Sequence, residues 1–193
     1  TGCDEMSQGS QPQKTQSGTQ GIVMNFVENA PPNEIYIDTA SGDNPFEVTL
    51  ELRNKGTYPK EGEALQGRLF IGGFDTSVIN GNWDGGPELP PSLIGKSQFF
   101  PEGGYEIKSF TDNNIDYSFD SDNYNPMVQV TSCYQYETKA SPLICIDPNP
   151  SSTNVNRKVC TVSDTSMSGG QGGPVGVTRI EQSSSGRKTF FKI

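Results

Sequence analysis

The sequence predicts an all-β fold, a β-sandwich with an extended N-terminal arm and extra C-terminal strands. Three observations carry that prediction. Apolar and polar residues alternate with period two, most cleanly where Phe46, Val48, Leu50 and Leu52 interleave with Glu47, Thr49, Glu51 and Arg53. Glycine and proline, 22 and 14 of the 193 residues, break the chain into short runs. No stretch shows the 3.6-residue apolar period of an amphipathic helix.

In chain order, residues 1–20 read as a polar arm. Residues 7–20 hold five Gln and no apolar side chain, so alone they bury too little surface to offset their ordering entropy. From Gly21 the β pattern begins. Ile22–Val27 is the first expected strand, closed by Asn29-Ala30-Pro31-Pro32, and Glu34–Ile37 follows. The Phe46–Arg53 strand ends in the turn Asn54-Lys55-Gly56, and Leu69–Phe74 is apolar enough for a central strand. Residues 75–95 read as a Gly/Pro/Asn-rich insertion carrying the sole tryptophan, Trp83. Strands are expected again at Tyr105–Phe110 and Ile115–Phe119. After them, Val128–Glu137 and Ser141–Ile146 are expected to pair as a hairpin with Tyr134 and Tyr136 on one face. These runs suffice for one sandwich over residues 21–147. Residues 148–193 add a loop and further strands at Lys158–Val162, Pro174–Glu181 and Arg187–Ile193, split by Gly- and Ser-rich turns. Three strands do not close a second sandwich, so they read as part of another module or as strands that pair elsewhere, with the first domain or with another copy.

Composition excludes several functions. Acids outnumber bases 23 to 14, a net charge of −9, which argues against a nucleic-acid groove. The absence of histidine removes Ser-His-Asp and Cys-His catalysis and every His-containing zinc site. No run approaches the ~18 apolar residues of a membrane-spanning helix. The Gly pairs at residues 72–73 and 103–104 and the run Gly169-Gly170-Gln171-Gly172-Gly173 lack a following Gly-Lys-Ser/Thr, so they read as turns and linkers rather than phosphate loops.

Four cysteines, Cys3, Cys133, Cys145 and Cys160, are disulfide candidates, and no C-x-x-C is present. They allow three pairings. A hairpin centred near Lys139 would set Cys133 opposite Cys145, while Cys145 and Cys160 bracket a Pro/Ser/Asn loop. Disulfides in a loop-rich chain point to an oxidising, extracellular or cell-surface location. Thr1-Gly2-Cys3 is similar to the end of a lipoprotein signal, but cleavage there would leave Cys3 first; the chain, starting at Thr1, reads as a trimmed form.

The run Pro45-Phe46-Glu47-Val48-Thr49-Leu50-Glu51-Leu52-Arg53-Asn54-Lys55-Gly56 resembles the B-strand of immunoglobulin-like modules in prokaryotic, especially archaeal, cell-surface proteins. In the CARDB family an alternating strand likewise ends in Asn-x-Gly. Val177–Ile193 is similar to the opening of another such module. The resemblance covers about a third of the chain. It implies an immunoglobulin-like β-sandwich on the cell surface with adhesive or structural duties, and it brings no catalytic residue.

The densest set of oxygen ligands is the acidic loop holding Asp116, Asp120 and Asp122, where calcium is the metal such oxygens would suit. It departs from an EF-hand in lacking the turn Gly and the closing Glu, and a solvated acidic loop is the plainer use. No other cofactor is expected. Carboxylate-only catalysis would need a pair that spacing does not single out, so no catalytic residue is assigned and the chain is read as non-enzymatic. The leading expectation is a structural subunit that self-associates into a surface filament or pilus-like homopolymer by strand exchange. Its donor would be the arm, the Ile22, Met24 and Phe26 face of the first strand, or the surplus C-terminal strands. The alternative is a monomeric adhesin or carbohydrate-binding module with a glycan or cell-surface partner, contacting its ligand through Trp83.

Overall fold

A computed structural model of the chain describes residues 17–38, 40, 42–81, 83, 85–112, 114–118, 123–147, 158–185 and 188–193. Among them the regular structure is all β, with no helix. The strands are β1 (Ile22–Phe26), β2 (Phe46–Asn54), β3 (Gly67–Gly72), β4 (Tyr105–Asp112), β5 (Gln129–Tyr134), β6 (Thr165–Ser166), β7 (Arg179–Ser185) and β8 (Lys188–Lys192). They form three antiparallel sheets, in the orders β1-β2-β4, β3-β5 and β6-β7-β8.

The alternation of β2 sets the architecture. Phe46, Val48, Leu50 and Leu52 are buried on one face, while Glu47 and Glu51 remain exposed. Register continues that inner row to Phe110 of β4, opposite Val48, and to Met24 of β1, opposite Leu52. Leu69 of β3 joins the same buried cluster, with Ile71 of β3 and Val130 and Tyr134 of β5 packed against it. Side chains of the first two sheets therefore meet in one apolar core, an arrangement consistent with a β-sandwich.

The connections contribute as much core as the strands. Leu65, Val78, Ile79, Leu89, Leu93 and Ile115 are all buried in that cluster. Within residues 75–95, expected as an insertion, Pro87, Glu88 and Leu89 cover the open side of β3. Leu69 N–H donates to Pro87 O at 2.9 Å and Leu89 N–H to Gly67 O at 2.9 Å, and Arg68 and Glu88 form a bridge. The turn at residues 75–79 is fixed by Asp75, whose carbonyl accepts from Val78 and Ile79 N–H at 3.0 Å each and whose carboxylate accepts from Ser77 N–H at 2.8 Å.

Other expected strands are not ladders. Glu34–Ile37 is unpaired, although Ile35 and Ile37 pack on the core, and the described part of 115–119 forms no strand. The expected 128–137/141–146 hairpin is replaced by one continuous extended run. Exposure alternates without a break from Asn123 to Ile144, with ladder pairing only in β5. The physical reason is local chemistry. Thr138-Lys139-Ala140-Ser141 contains no Gly or Asn to supply positive φ, and Pro142 biases Ser141 toward extended backbone. Cys133 and Cys145 therefore do not face each other: Cys133 lies opposite Arg68 of β3, exposed and free.

The disulfide is Cys145–Cys160, closing a separation of 15 residues with Cα atoms 6.0 Å apart. It lies outside the main core. Reducing it is expected to cost about 2 kcal/mol, the low end of the usual range, read as a lowered denaturant midpoint in the presence of reductant.

The third sheet is thinly supported. Ile180 is its buried apolar residue, while Phe190, Phe191 and Ile193 stand 53%, 40% and 81% exposed. Its ion pairs, Arg179–Asp164 at 2.6 Å and Lys192–Glu181 at 3.5 Å, are at the surface and add little.

Candidate functional site

Two features stand out, a sheet edge without a partner among the described residues and a junction where five chain segments meet. The edge belongs to β5. β3 pairs with one side of it, in register from Gly67↔Tyr134 to Gly72↔Gln129. Among the described residues no strand occupies the other side. Downstream, residues 135–146 continue extended, with Leu143 93% and Ile146 55% exposed. Unpaired strand edges attract other strands, and proteins commonly block them with charge, proline or a covering loop. Gln129, Thr131 and Cys133 on the exposed row of β5 supply no charge.

β1 lies on the same side of the molecule. Ile22 N–H donates to the Tyr134 hydroxyl at 3.1 Å, tying the start of β1 to the end of β5. Ile22 and Met24 pack against the core. Phe26 shares their inner row, opposite Leu50, yet is 48% exposed. An inner-row aromatic left half-covered marks a gap in the apolar layer.

The junction begins at Asn54, the last residue of β2. Its side chain is fully buried and satisfied on both ends. Nδ2 donates to Tyr58 O at 2.8 Å and to Leu93 O at 2.9 Å, while Oδ1 accepts from Gly56 N–H at 3.0 Å. This pins the 54–58 turn to the 93–104 connection. Onto that turn dock the arm and the Gly-rich 169–173 segment. Lys55 N–H donates to Gly21 O at 2.9 Å, Thr57 N–H to Gly172 O at 2.8 Å and Thr57 Oγ1 to Gly172 O at 3.2 Å. Gly18 N–H donates to Gly169 O at 2.7 Å and Gly172 N–H to Gly18 O at 2.9 Å, making a parallel bridge between Gly18 and Gly170. Tyr136 closes the group: its hydroxyl accepts from Thr57 N–H at 2.9 Å and donates to Gly172 O. The residues read as a linker are thus a docking segment. Positive φ at Gly172 and the lack of room for a Cβ against Thr57 explain the glycine. Gln171 adds a side-chain imitation of strand pairing, bonding Val177 N–H at 2.7 Å and Val177 O at 2.8 Å.

Burial pushes the Tyr136 phenol above the usual tyrosine range, with the Tyr58 and Thr57 N–H groups pulling the other way. Stability linked to this group is therefore complete below about pH 10 and lost as pH rises through the folded-state value. Tyr136→Phe is expected to remove part of the alkaline loss of stability. Equal slopes for both proteins above pH ~10 would contradict this.

The other predicted site residues fall as follows. Asp120, Asp122 and Cys3 lie outside the described residues, as do residues 1–16 of the arm. Asp116 is exposed, with its N–H donating to Val78 O at 2.9 Å. Among the described residues no three Cys, Asp or Glu side chains group as a metal site. The carboxylate of neighbouring Asp112 organises loops instead, accepting from Asn80 N–H at 2.7 Å and Asn114 N–H at 3.2 Å. Trp83 packs against the core, with ring centroids 5.6 Å from Phe74, 6.1 Å from Phe110 and 6.4 Å from Phe46. No described helix is long and apolar enough to cross a membrane. Comparison with protein-family models, curated proteins and solved structures finds no match.

Proposed function

We propose that this chain is a structural subunit of an extracellular or cell-surface polymer, built from immunoglobulin-like sandwiches that complete one another by strand addition. The observation that carries this reading is the strand order. An immunoglobulin sandwich places its first, second, fifth and fourth strands in one sheet, and its third, sixth and seventh in the other. The orders β1-β2-β4 and β3-β5 fit that scheme with no fourth strand beside β4 and the last strand missing beside β5 among the described residues. The empty position is the unpaired edge of β5, and on β1, which is tied to β5 through Ile22, Phe26 is half-covered. The run after β5 extends onward instead of turning back to fill the place.

The favoured donor is β8 of a neighbouring copy. Among the described residues β8 and β1 are each paired on one side only, but β1 packs on the main core while the sheet of β8 buries little apolar surface. The described end of the arm is held by residues 169–172. On β8 and the residue that follows it, Phe191 and Ile193 continue the alternation of Thr189, an apolar pair suited to cover Phe26. Main-chain bonds along β5 would give affinity, and the side chains would set register. Donor and acceptor are different surfaces, so the contact is head-to-tail and grows into a filament. The Cys145–Cys160 disulfide is compatible with an extracellular location.

Sedimentation velocity of Phe191→Glu combined with Ile193→Glu tests the donor. The variant is expected to remain monomeric at concentrations where the parent forms polymer. A variant that polymerises like the parent would rule out β8.

A further inference from the structure

We infer that the contact between the arm and residues 169–172 is a mechanical clamp, which lets the chain carry tension along its length without unfolding. Strand direction sets how this contact bears load, whether or not copies polymerise. Gly18 and Gly170 are bridged in parallel. Tension entering through the chain before Ser17 pulls one segment toward its N-terminal side, while tension leaving after Val177 pulls the other toward its C-terminal side. In a parallel pair those two forces slide the segments past each other. Gly18 N–H to Gly169 O and Gly172 N–H to Gly18 O are then loaded together rather than in turn.

Residue 172 is anchored a second time from the opposite side. Its carbonyl receives Thr57 N–H, Thr57 Oγ1 and the Tyr136 hydroxyl. Asn54 fixes the 54–58 turn beneath, and Lys55 N–H holds Gly21 O. Sliding residue 172 therefore requires these bonds to fail with the parallel bridge. The β7–β8 hairpin has the opposite geometry. Its open end is the Glu181↔Lys192 pair and its closed end Ser185↔Lys188, so tension applied at Ile193 opens it one pair at a time. The fold thus places an element that yields easily in series with one that does not.

The test is constant-force extension of the single chain, held by handles joined before Ser17 and after Ile193. A short early release from the C-terminal sheet is expected, followed by a long-lived state that ends in one step. Rupture under force is governed by the unfolding rate. Loss of one typical hydrogen bond from the clamp should therefore shorten the long-lived state about fivefold. Tyr136→Phe and Thr57→Val each remove one hydroxyl contact with Gly172 O, and each is expected to show that shortening. Val48→Ala, in the core and away from the clamp, is expected to lower the denaturant midpoint while leaving the lifetime unchanged. The inference is overturned if the whole chain extends with no long-lived state. It is also overturned if Val48→Ala shortens the lifetime while Tyr136→Phe and Thr57→Val do not.

Discussion

Asn54→Ala is expected to destabilise the fold by about 4 kcal/mol, a large part of the 5–15 kcal/mol that holds a typical domain together. The side chain is fully buried and replaces water for three backbone groups at once. Its removal leaves Tyr58 O, Leu93 O and Gly56 N–H without their partner in a buried place. Asn54→Asp separates hydrogen bonding from shape. The carboxylate still accepts from Gly56 N–H but has nothing to donate to the two carbonyls, and its charge is buried. Aspartate is therefore expected to be no better than alanine, despite near-identical volume. Urea titrations of both variants check this. A midpoint shift worth less than about 1 kcal/mol for alanine would mean the turn is held by other groups.

Gly56→Ala is expected to cost about 3 kcal/mol, at the upper end for an overpacked site because the obstacles include backbone. A Cβ there would lie 2.9 Å from both Gln20 O and Gly172 O, and would collide with the Tyr136 hydroxyl. A tyrosine can swing aside, but two main-chain carbonyls cannot both retreat without releasing the arm and the 169–173 segment. The damage should thus be local as well as energetic. Limited proteolysis is expected to cleave the alanine variant near residues 168–178 while leaving the β1–β5 core intact. A cleavage pattern identical to that of the parent protein would show that the segments dock without needing this glycine.

How much of this was legible depended on whether a residue's role leaves a periodic trace. The alternation of Phe46 to Leu52 identified β2 and its buried face, and β1, β4 and β5 were located as β-rich runs between turn signals. Val78, Ile79, Leu89 and Leu93 are as buried as β2's leucines, but they sit in irregular chain with no period and so read as an insertion. Alternation also misled. It runs evenly through residues 128–144, and two strands joined by a turn give the same pattern as one straight run when the turn has no glycine. The cysteine spacing left three pairings open, and only the straight run removes Cys133 from the reach of Cys145. Glycine in residues 169–173 is ambiguous in the same way, since a flexible linker and a tightly docked segment both select residues without a Cβ. The Asn54-Lys55-Gly56 signal was visible as a turn. Its buried side-chain bonds, and the Tyr136 hydroxyl that reaches Thr57 from 79 residues downstream, depend on tertiary contacts that leave no local mark.

If a neighbouring copy supplies the strand missing beside β5, the purified chain is expected to show unbranched filaments one subunit wide by electron microscopy, absent when Phe191 and Ile193 are both replaced by glutamate. A field of separate particles at every concentration, identical for parent and variant, would contradict strand supply between copies.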